Sequence, residues 1–248
     1  MTSNTPTQQD NGNLVVSYLT LRNLIGFCGM LLPVALAIFP SRPTNYHDFE
    51  PSISDYFYTD RGDILVVILS VLGVFLLTYT GYNLKERLLT ITAAICGLGV
   101  AFVPTRSKCL DCALSTHTET GGLFKPFFGE AWHLGFAATF LLCLAIMSLK
   151  YFTRTDKASL RNHDGTLTQK GKRNIVYKVC GWIMVICVAI LGLYFIIKPD
   201  LKSFPIIFTF ESIAVEAFGF AWLTKGETLW PDGEHYMLKV LRRSKTSS

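Results

Sequence analysis

Apolar residues lie along this chain in six long blocks that polar segments separate. Of the 23 basic and 18 acidic residues, all but Glu211 and Glu216 lie outside the blocks. Each block has 18 to 22 residues, close to the ~20 residues with which a helix crosses ~30 Å of hydrocarbon. The pattern predicts six membrane-spanning helices, at residues 23–41, 64–84, 88–105, 131–149, 179–197 and 203–224.

The fold class that follows is all-α: a polytopic membrane protein built as a bundle of six transmembrane helices. Helices around a soluble core would show polar residues on one face of every turn, and strands of a membrane barrel are only ~10 residues long and alternate in polarity. The 50% hydrophobic content does not decide the class, because soluble proteins reach ~45 to 50%. We expect a polar N-terminus (1–22), a membrane domain (23–224) and a basic tail (225–248).

Basic residues predict the orientation of this bundle. With six spans both termini share one side, and that side's segments carry 16 of the 23 Lys and Arg residues. The positive-inside rule then places both termini in the cytoplasm, and we expect a multi-pass protein of the cell (inner) membrane. The net charge of +5 is explained by orientation, so no nucleic-acid partner is predicted. The basic segment 150–178 is interpreted as a solvated cytoplasmic loop.

The segment PSISDYFYTDRGD, residues 51–63, closes the first outer loop and has two interpretations. In the first, Ser54 or Asp55 caps a short helix, Asp60 or Asp63 caps the second span, and the aromatic residues lie at headgroup level. In the second, Ser54, Asp55, Asp60 and Asp63 form a polar floor that binds a headgroup or a metal at the mouth of the bundle.

The second outer loop carries Cys109 and Cys112 in a C-x-x-C pair, followed by His117, with His133 just inside the fourth block. An oxidising outer face favours a disulfide between Cys109 and Cys112. A redox pair and a zinc site that also uses His117 and His133 are the alternatives; the spacing matches no compact zinc motif. No metal and no cofactor are predicted.

Two glutamates lie within the sixth block. Glu211 is eight residues from its start and Glu216 is five residues deeper, so they point ~140° apart on a helix. An ionisable group at such depth normally faces a cavity or a partner. Glu211 is close enough to the outer side to meet His133 or Asp63. A protonated carboxyl bonded to a neighbouring helix is the alternative for both.

Several motifs together resemble a family of bacterial six-span membrane proteins of unknown function. That family is similar to the superfamily of the damage-regulated autophagy modulators and the glycosylphosphatidylinositol-remodelling proteins related to the FGF-receptor-activating protein. The motifs are PSISDYFYTDRGD, FVPT (102–105), WHLGFAATF at the start of the fourth block and ESIAVEAFGFAWLTKGE in the sixth; the matching positions are Pro51, Ile53, Ser54, Asp55 and His133. The resemblance implies membrane-lipid biology at the outer leaflet. Cys109, Cys112 and Glu216 do not match the pattern.

Three functions remain open at this point. The first is binding or remodelling of a lipid headgroup, with Asp55, His133 and Glu211 gathered at one outer mouth and membrane lipids as partners. The second is proton-coupled transport through Glu211 and Glu216, against which stands the lack of an inverted repeat. The third is a non-catalytic membrane scaffold. A ceramidase-like zinc hydrolase is disfavoured, because the chain has no H-x-x-x-H motif.

Overall fold

The computed structural model describes residues 8–38, 50–81, 83–103, 105, 130–154, 160–162, 164–197 and 205–230. For residues 8–17 and residue 130 it describes the backbone only. These residues form helices α1 (Gln8–Ile38), α2 (Gly62–Thr78), α3 (Leu84–Phe102), α4 (Glu130–Ile146), α5 (Gln169–Ile197) and α6 (Ile206–Lys225). A 3₁₀ helix, η1 (Ser54–Tyr58), precedes α2, and a π-helical turn, π1 (Met147–Phe152), continues α4. The described part of the chain contains no strand, and the all-α class is confirmed.

Four helical segments are long and apolar enough to cross a membrane: Tyr18–Ile38, Ala131–Phe152, Gln169–Ile197 and Ile206–Lys225. Helix α2 is apolar but has 17 residues. Helix α3 is not among the four; its first turn holds Lys85, Glu86 and Arg87, which shorten its apolar part. The helices are those of a membrane protein, and the count of six spans stays a prediction.

The helices form a closed ring in chain order, in which each packs against the next and α6 returns to α1; α4 also contacts α6 across the ring. The start of α4, the end of α3 and the start of α6 meet η1, and we call this the η1 end. The opposite end, where α5 begins and α6 ends, is called the basic end. Each helix therefore packs beside the helices that precede and follow it in the sequence, as in other helical bundles.

Two helix starts lie earlier than the charge pattern predicts. Helix α1 begins at Gln8 rather than at residue 23, and α5 begins at Gln169 rather than at residue 179. The prediction of a solvated loop over 150–178 was therefore wrong for 150–152, which lie in π1, and for 169–178, which lie in α5. Arg173 and Tyr177 are buried there, while Lys172 is exposed. A helix can continue beyond the hydrocarbon layer of the membrane with charged residues on its exposed face. An uncharged block therefore predicts the apolar part of a helix and not the residue at which the helix begins.

Helices α1 and α6 touch backbone to backbone at Gly26 and Gly219. A Cβ on Gly219 would lie 2.7 Å from the Gly26 carbonyl oxygen and 2.9 Å from the Met30 amide nitrogen. Small residues allow this approach, which is how membrane helices gain packing without a hydrophobic driving force between them. The contact closes the ring.

The outward faces of the helices are apolar. In α2 the side chains of Val67, Val71, Val74 and Leu77 are all exposed, three or four residues apart on one face. Aromatic rings fill the inside: Trp222 contacts Tyr79, Phe152 and Phe218 edge to face. A continuous exposed apolar face is unfavourable in water and favourable against lipid. This surface agrees with membrane insertion.

Candidate functional site at the η1 end

The segment around η1 is held by hydrogen bonds from several helices. The Phe208 amide, in the first turn of α6, donates to the Pro51 carbonyl oxygen at 2.8 Å. Arg61 Nη1 donates to the Leu36 carbonyl oxygen. Leu36 lies in the last turn of α1, and the carbonyl groups of a last turn have no hydrogen-bond donor within their own helix. Within the segment, the Asp55 amide donates to Ser52 Oγ at 3.0 Å. These contacts fix the backbone on which the candidate residues lie.

Ser54 and His133 form the centre of the site. Ser54 Oγ lies 2.8 Å from His133 Nε2, which joins η1 to the start of α4. His133 Nδ1 bonds the carbonyl oxygen of Val103, the residue that follows α3. Both side chains are buried, with 6% of Ser54 and 2% of His133 exposed. Two polar side chains buried this deeply need such partners, because an unsatisfied one costs about 1 to 3 kcal/mol.

The Val103 contact determines which ring nitrogen of His133 carries the proton. A carbonyl oxygen only accepts hydrogen bonds, so Nδ1 of His133 is the donor. In the neutral ring, Nε2 then has a free lone pair, and the Ser54 hydroxyl donates to it. A hydroxyl that donates to an imidazole oriented by a third group is the arrangement by which proteins activate a serine nucleophile.

Asp55 and Glu211 flank this pair. Glu211 Oε2 accepts a hydrogen bond from the Ile53 amide at 2.7 Å, and Asp55 Oδ1 accepts one from Thr105 Oγ1 at 3.2 Å. The two carboxyl groups are close enough to interact electrostatically. Because Ile53, Ser54 and Asp55 are consecutive and neighbouring Cα atoms are about 3.8 Å apart, their partners converge on one short segment. Asp55 and Glu211 are partly exposed.

We call Ser54, Asp55, Thr105, His133 and Glu211 the η1 site. The sequence did not single out Thr105 or the Val103 carbonyl group as part of it, although both belong to the FVPT motif. Tyr58 also reaches Thr105, since its hydroxyl donates to the Thr105 carbonyl oxygen. The only available signal was the position of this motif at the end of the third predicted helix, residues 88–105.

Tyr56 and Arg61 attach the η1 segment to neighbouring helices. Tyr56 is buried against Phe208, with ring centroids 5.9 Å apart, and burial raises the pKa of its hydroxyl. The Arg61 guanidinium carbon lies 5.4 Å from the centre of the Tyr56 ring, a cation–π distance. Both residues therefore fasten η1 to the bundle.

The structure places the other candidates differently. Asp60 and Asp63 are exposed near the start of α2, and Glu216 lies deeper in α6 and is partly exposed. The expectation that Ser54 or Asp55 caps a helix was wrong, because their side chains bind α4 and Thr105. We expected His133 or Asp63 as the partner of Glu211, but its carboxyl group accepts a hydrogen bond from the backbone amide of Ile53. Cys109, Cys112 and His117 lie outside the described residues.

Comparisons with family models, with curated proteins and with solved structures find no match to this chain. The resemblance drawn from short motifs stays a prediction. We therefore infer the function from the η1 site itself.

Proposed function

We propose that this protein is a six-span membrane protein that binds the headgroup of a membrane lipid at the η1 site and remodels it. The hydrogen bond between Ser54 and His133, with His133 oriented by the Val103 carbonyl oxygen, is the observation that carries the proposal. The excess of basic residues on the other side of the bundle supports an outer-leaflet position for the site.

The acceptor groups of the site indicate which headgroups it favours. Asp55 and Glu211 present carboxyl oxygens, which accept hydrogen bonds. A headgroup with an amine or several hydroxyl groups supplies the matching donors. A choline headgroup has no N–H or O–H, so we expect it to bind more weakly.

The chemistry we assign is transfer at an ester of the lipid. Ser54 Oγ attacks the carbon or phosphorus of the ester while its proton moves to His133 Nε2. The ester bond to the leaving oxygen breaks, and that oxygen takes the proton from His133. A water or an acceptor alcohol then releases the group from Ser54 by the reverse steps. His133 Nδ1 keeps its proton throughout, and its hydrogen bond to the Val103 carbonyl oxygen holds the ring in place.

The first experiment labels the purified protein in detergent with a fluorophosphonate, which reacts with activated serines. We expect labelling at Ser54, and its loss in Ser54→Ala and His133→Asn. Ser70→Ala is the matched control, because the Ser70 hydroxyl in α2 forms no hydrogen bond to the described residues. Absence of a labelled Ser54 peptide from the wild-type protein would refute the transfer step.

The second experiment tests headgroup recognition separately, by thermal unfolding in nanodiscs of phosphatidylethanolamine or phosphatidylcholine. We expect a higher melting temperature with phosphatidylethanolamine, and a smaller difference between the two lipids in Asp55→Asn. Equal melting temperatures of the wild-type protein in both lipids would refute recognition of headgroup donors.

A further inference from the structure

Helix α6 carries an acidic residue on its outward face. Glu216 lies three residues after Ile213 and four residues before Phe220, so all three share one side of the helix. Ile213 and Phe220 are 43% and 39% exposed, and Glu216 is partly exposed between them. We call these three residues the α6 stripe. In a bundle inserted into a membrane, this stripe faces outward, away from the aromatic interior.

Glu216 lies near the middle of a helix that is long enough to cross a membrane. From Glu216 to the first and last residues of α6 the rise is about 15 Å and about 14 Å, at ~1.5 Å per residue. Long Lys and Arg side chains near helix ends reach the membrane surface from the hydrocarbon, but a glutamate at this depth does not. Such a residue normally contacts a polar partner or a water-filled cavity.

The polar partner of Glu216 is not found among the described residues of its own chain. The Glu216 carboxyl group forms no hydrogen bond and no ion pair with any of them. Glu211 differs, since its carboxyl group accepts a hydrogen bond from the Ile53 amide. The segments that connect the helices attach at the helix ends, about 14 Å or more along α6 from Glu216. We therefore look for the partner in a neighbouring molecule.

The chemistry of a carboxyl group in hydrocarbon limits what this partner can be. The charged form is disfavoured in an apolar medium, so the group is protonated and offers one O–H donor and one carbonyl acceptor. A second protonated carboxyl group offers the same pair, and the two groups can each donate to the other. A cation is the other possible partner, but the six apolar blocks of this chain contain no Lys and no Arg. Another copy of this chain therefore offers a carboxyl group and no cation.

We propose that two copies of this chain associate in the membrane through the α6 stripe, with their two Glu216 carboxyl groups hydrogen-bonded to each other. A twofold axis brings identical residues of the two copies together, so the group at the axis must be complementary to itself. A protonated carboxyl group meets this condition. Hydrogen bonds between helices and packing contacts drive association in a membrane, where apolar surface alone does not. Ile213 and Phe220 supply the packing on either side of Glu216.

The test measures resonance energy transfer between full-length proteins that carry a donor or an acceptor dye at the N-terminus, in phosphatidylcholine liposomes. Dilution of the protein with lipid gives the dissociation constant of the dimer. The variants are Glu216→Ala and Glu216→Gln. One control is Ser212→Ala, which removes a polar group one turn away whose buried hydroxyl forms no hydrogen bond with the described residues. The other is Ile95→Ala, which trims a 56% exposed side chain on α3.

We expect energy transfer in the wild-type protein that falls on dilution as a dimer dissociates. Glu216→Ala should weaken association by about tenfold, the effect of losing a hydrogen bond between membrane helices. Glu216→Gln should stay within about threefold of the wild type, because an amide also donates and accepts. Both controls should stay within about twofold, since neither changes the α6 stripe. At dilutions where the wild type is monomeric, Glu216→Ala should melt at or above the wild-type temperature.

Three outcomes overturn the proposal. The first is a wild-type protein that stays monomeric at every ratio of protein to lipid, which would leave a different protein as the partner of Glu216. The second is an equal loss of association in Glu216→Ala and the two controls, which would show contact without a specific interface. The third is a lower melting temperature or misfolding of monomeric Glu216→Ala, which would show that the carboxyl group bonds within its own chain.

Discussion

Replacing Gly219 by Ala tests the closure of the helix ring. The added Cβ would lie 2.7 Å from the Gly26 carbonyl oxygen and 2.9 Å from the Met30 amide nitrogen. Non-bonded atoms are attracted most strongly at about 3.5 to 4.0 Å, so α1 and α6 must separate by roughly 1 Å. These two atoms belong to the backbone and cannot rotate away, whereas the nearest atom, Met30 Cγ at 2.5 Å, belongs to a flexible side chain that can move. Overpacking of this kind costs about 1 to 3 kcal/mol.

The matched control is Gly192→Ala in α5, where a Cβ meets no atom within 4 Å. Both substitutions improve helix propensity equally. The difference between their free energies of unfolding therefore reports on the contact between α1 and α6 alone. We expect Gly219→Ala to lower the free energy of unfolding by about 1 to 3 kcal/mol relative to Gly192→Ala. Reversible unfolding in mixed micelles, with increasing dodecyl sulfate, measures this difference. Equal stability of the two variants would refute the close contact.

Three further predictions concern the ends of the bundle. A cysteine at Lys157 should resist an impermeant thiol reagent in intact cells while one at Thr44 reacts, and the reverse would overturn the orientation. Mass spectrometry without reductant should find Cys109 linked to Cys112; two free thiols would contradict the disulfide. Glu211→Leu should lower the free energy of unfolding by about 1 to 3 kcal/mol, because the Ile53 amide loses its acceptor, whereas Glu211→Gln keeps one and should lose less.

The sequence predicted the helices well because a membrane imposes a simple rule on charge. Each of the six apolar blocks lies on one helix, and the motif before α2 contains Ser54, which meets His133. Helix ends were predicted poorly, since charged residues such as Arg173 continue a helix beyond the hydrocarbon. A rule based on charge alone cannot detect where these ends lie.

The contacts of the η1 site were harder to predict than its residues. His133 depends on the carbonyl group of Val103, and Glu211 depends on the amide group of Ile53. Every residue has a backbone carbonyl group, and every residue except proline has a backbone N–H, so the amino-acid type at either position carries almost no signal. The basic end shows the same limit: in the sequence Arg22 and Lys225 bore only on orientation, and their proximity follows from the return of α6 to α1.

Helix α6 runs from the η1 end of the bundle to the basic end. Glu211 and Lys225 are fourteen residues apart on it, a rise of about 21 Å at ~1.5 Å per residue. Between them, Phe218 and Trp222 are buried and pack against the aromatic side chains of the interior. A molecule that carries several charges would be strongly disfavoured among these rings. This aromatic interior therefore disfavours proton-coupled transport of a charged substrate through the bundle, and it favours a binding site confined to the η1 end.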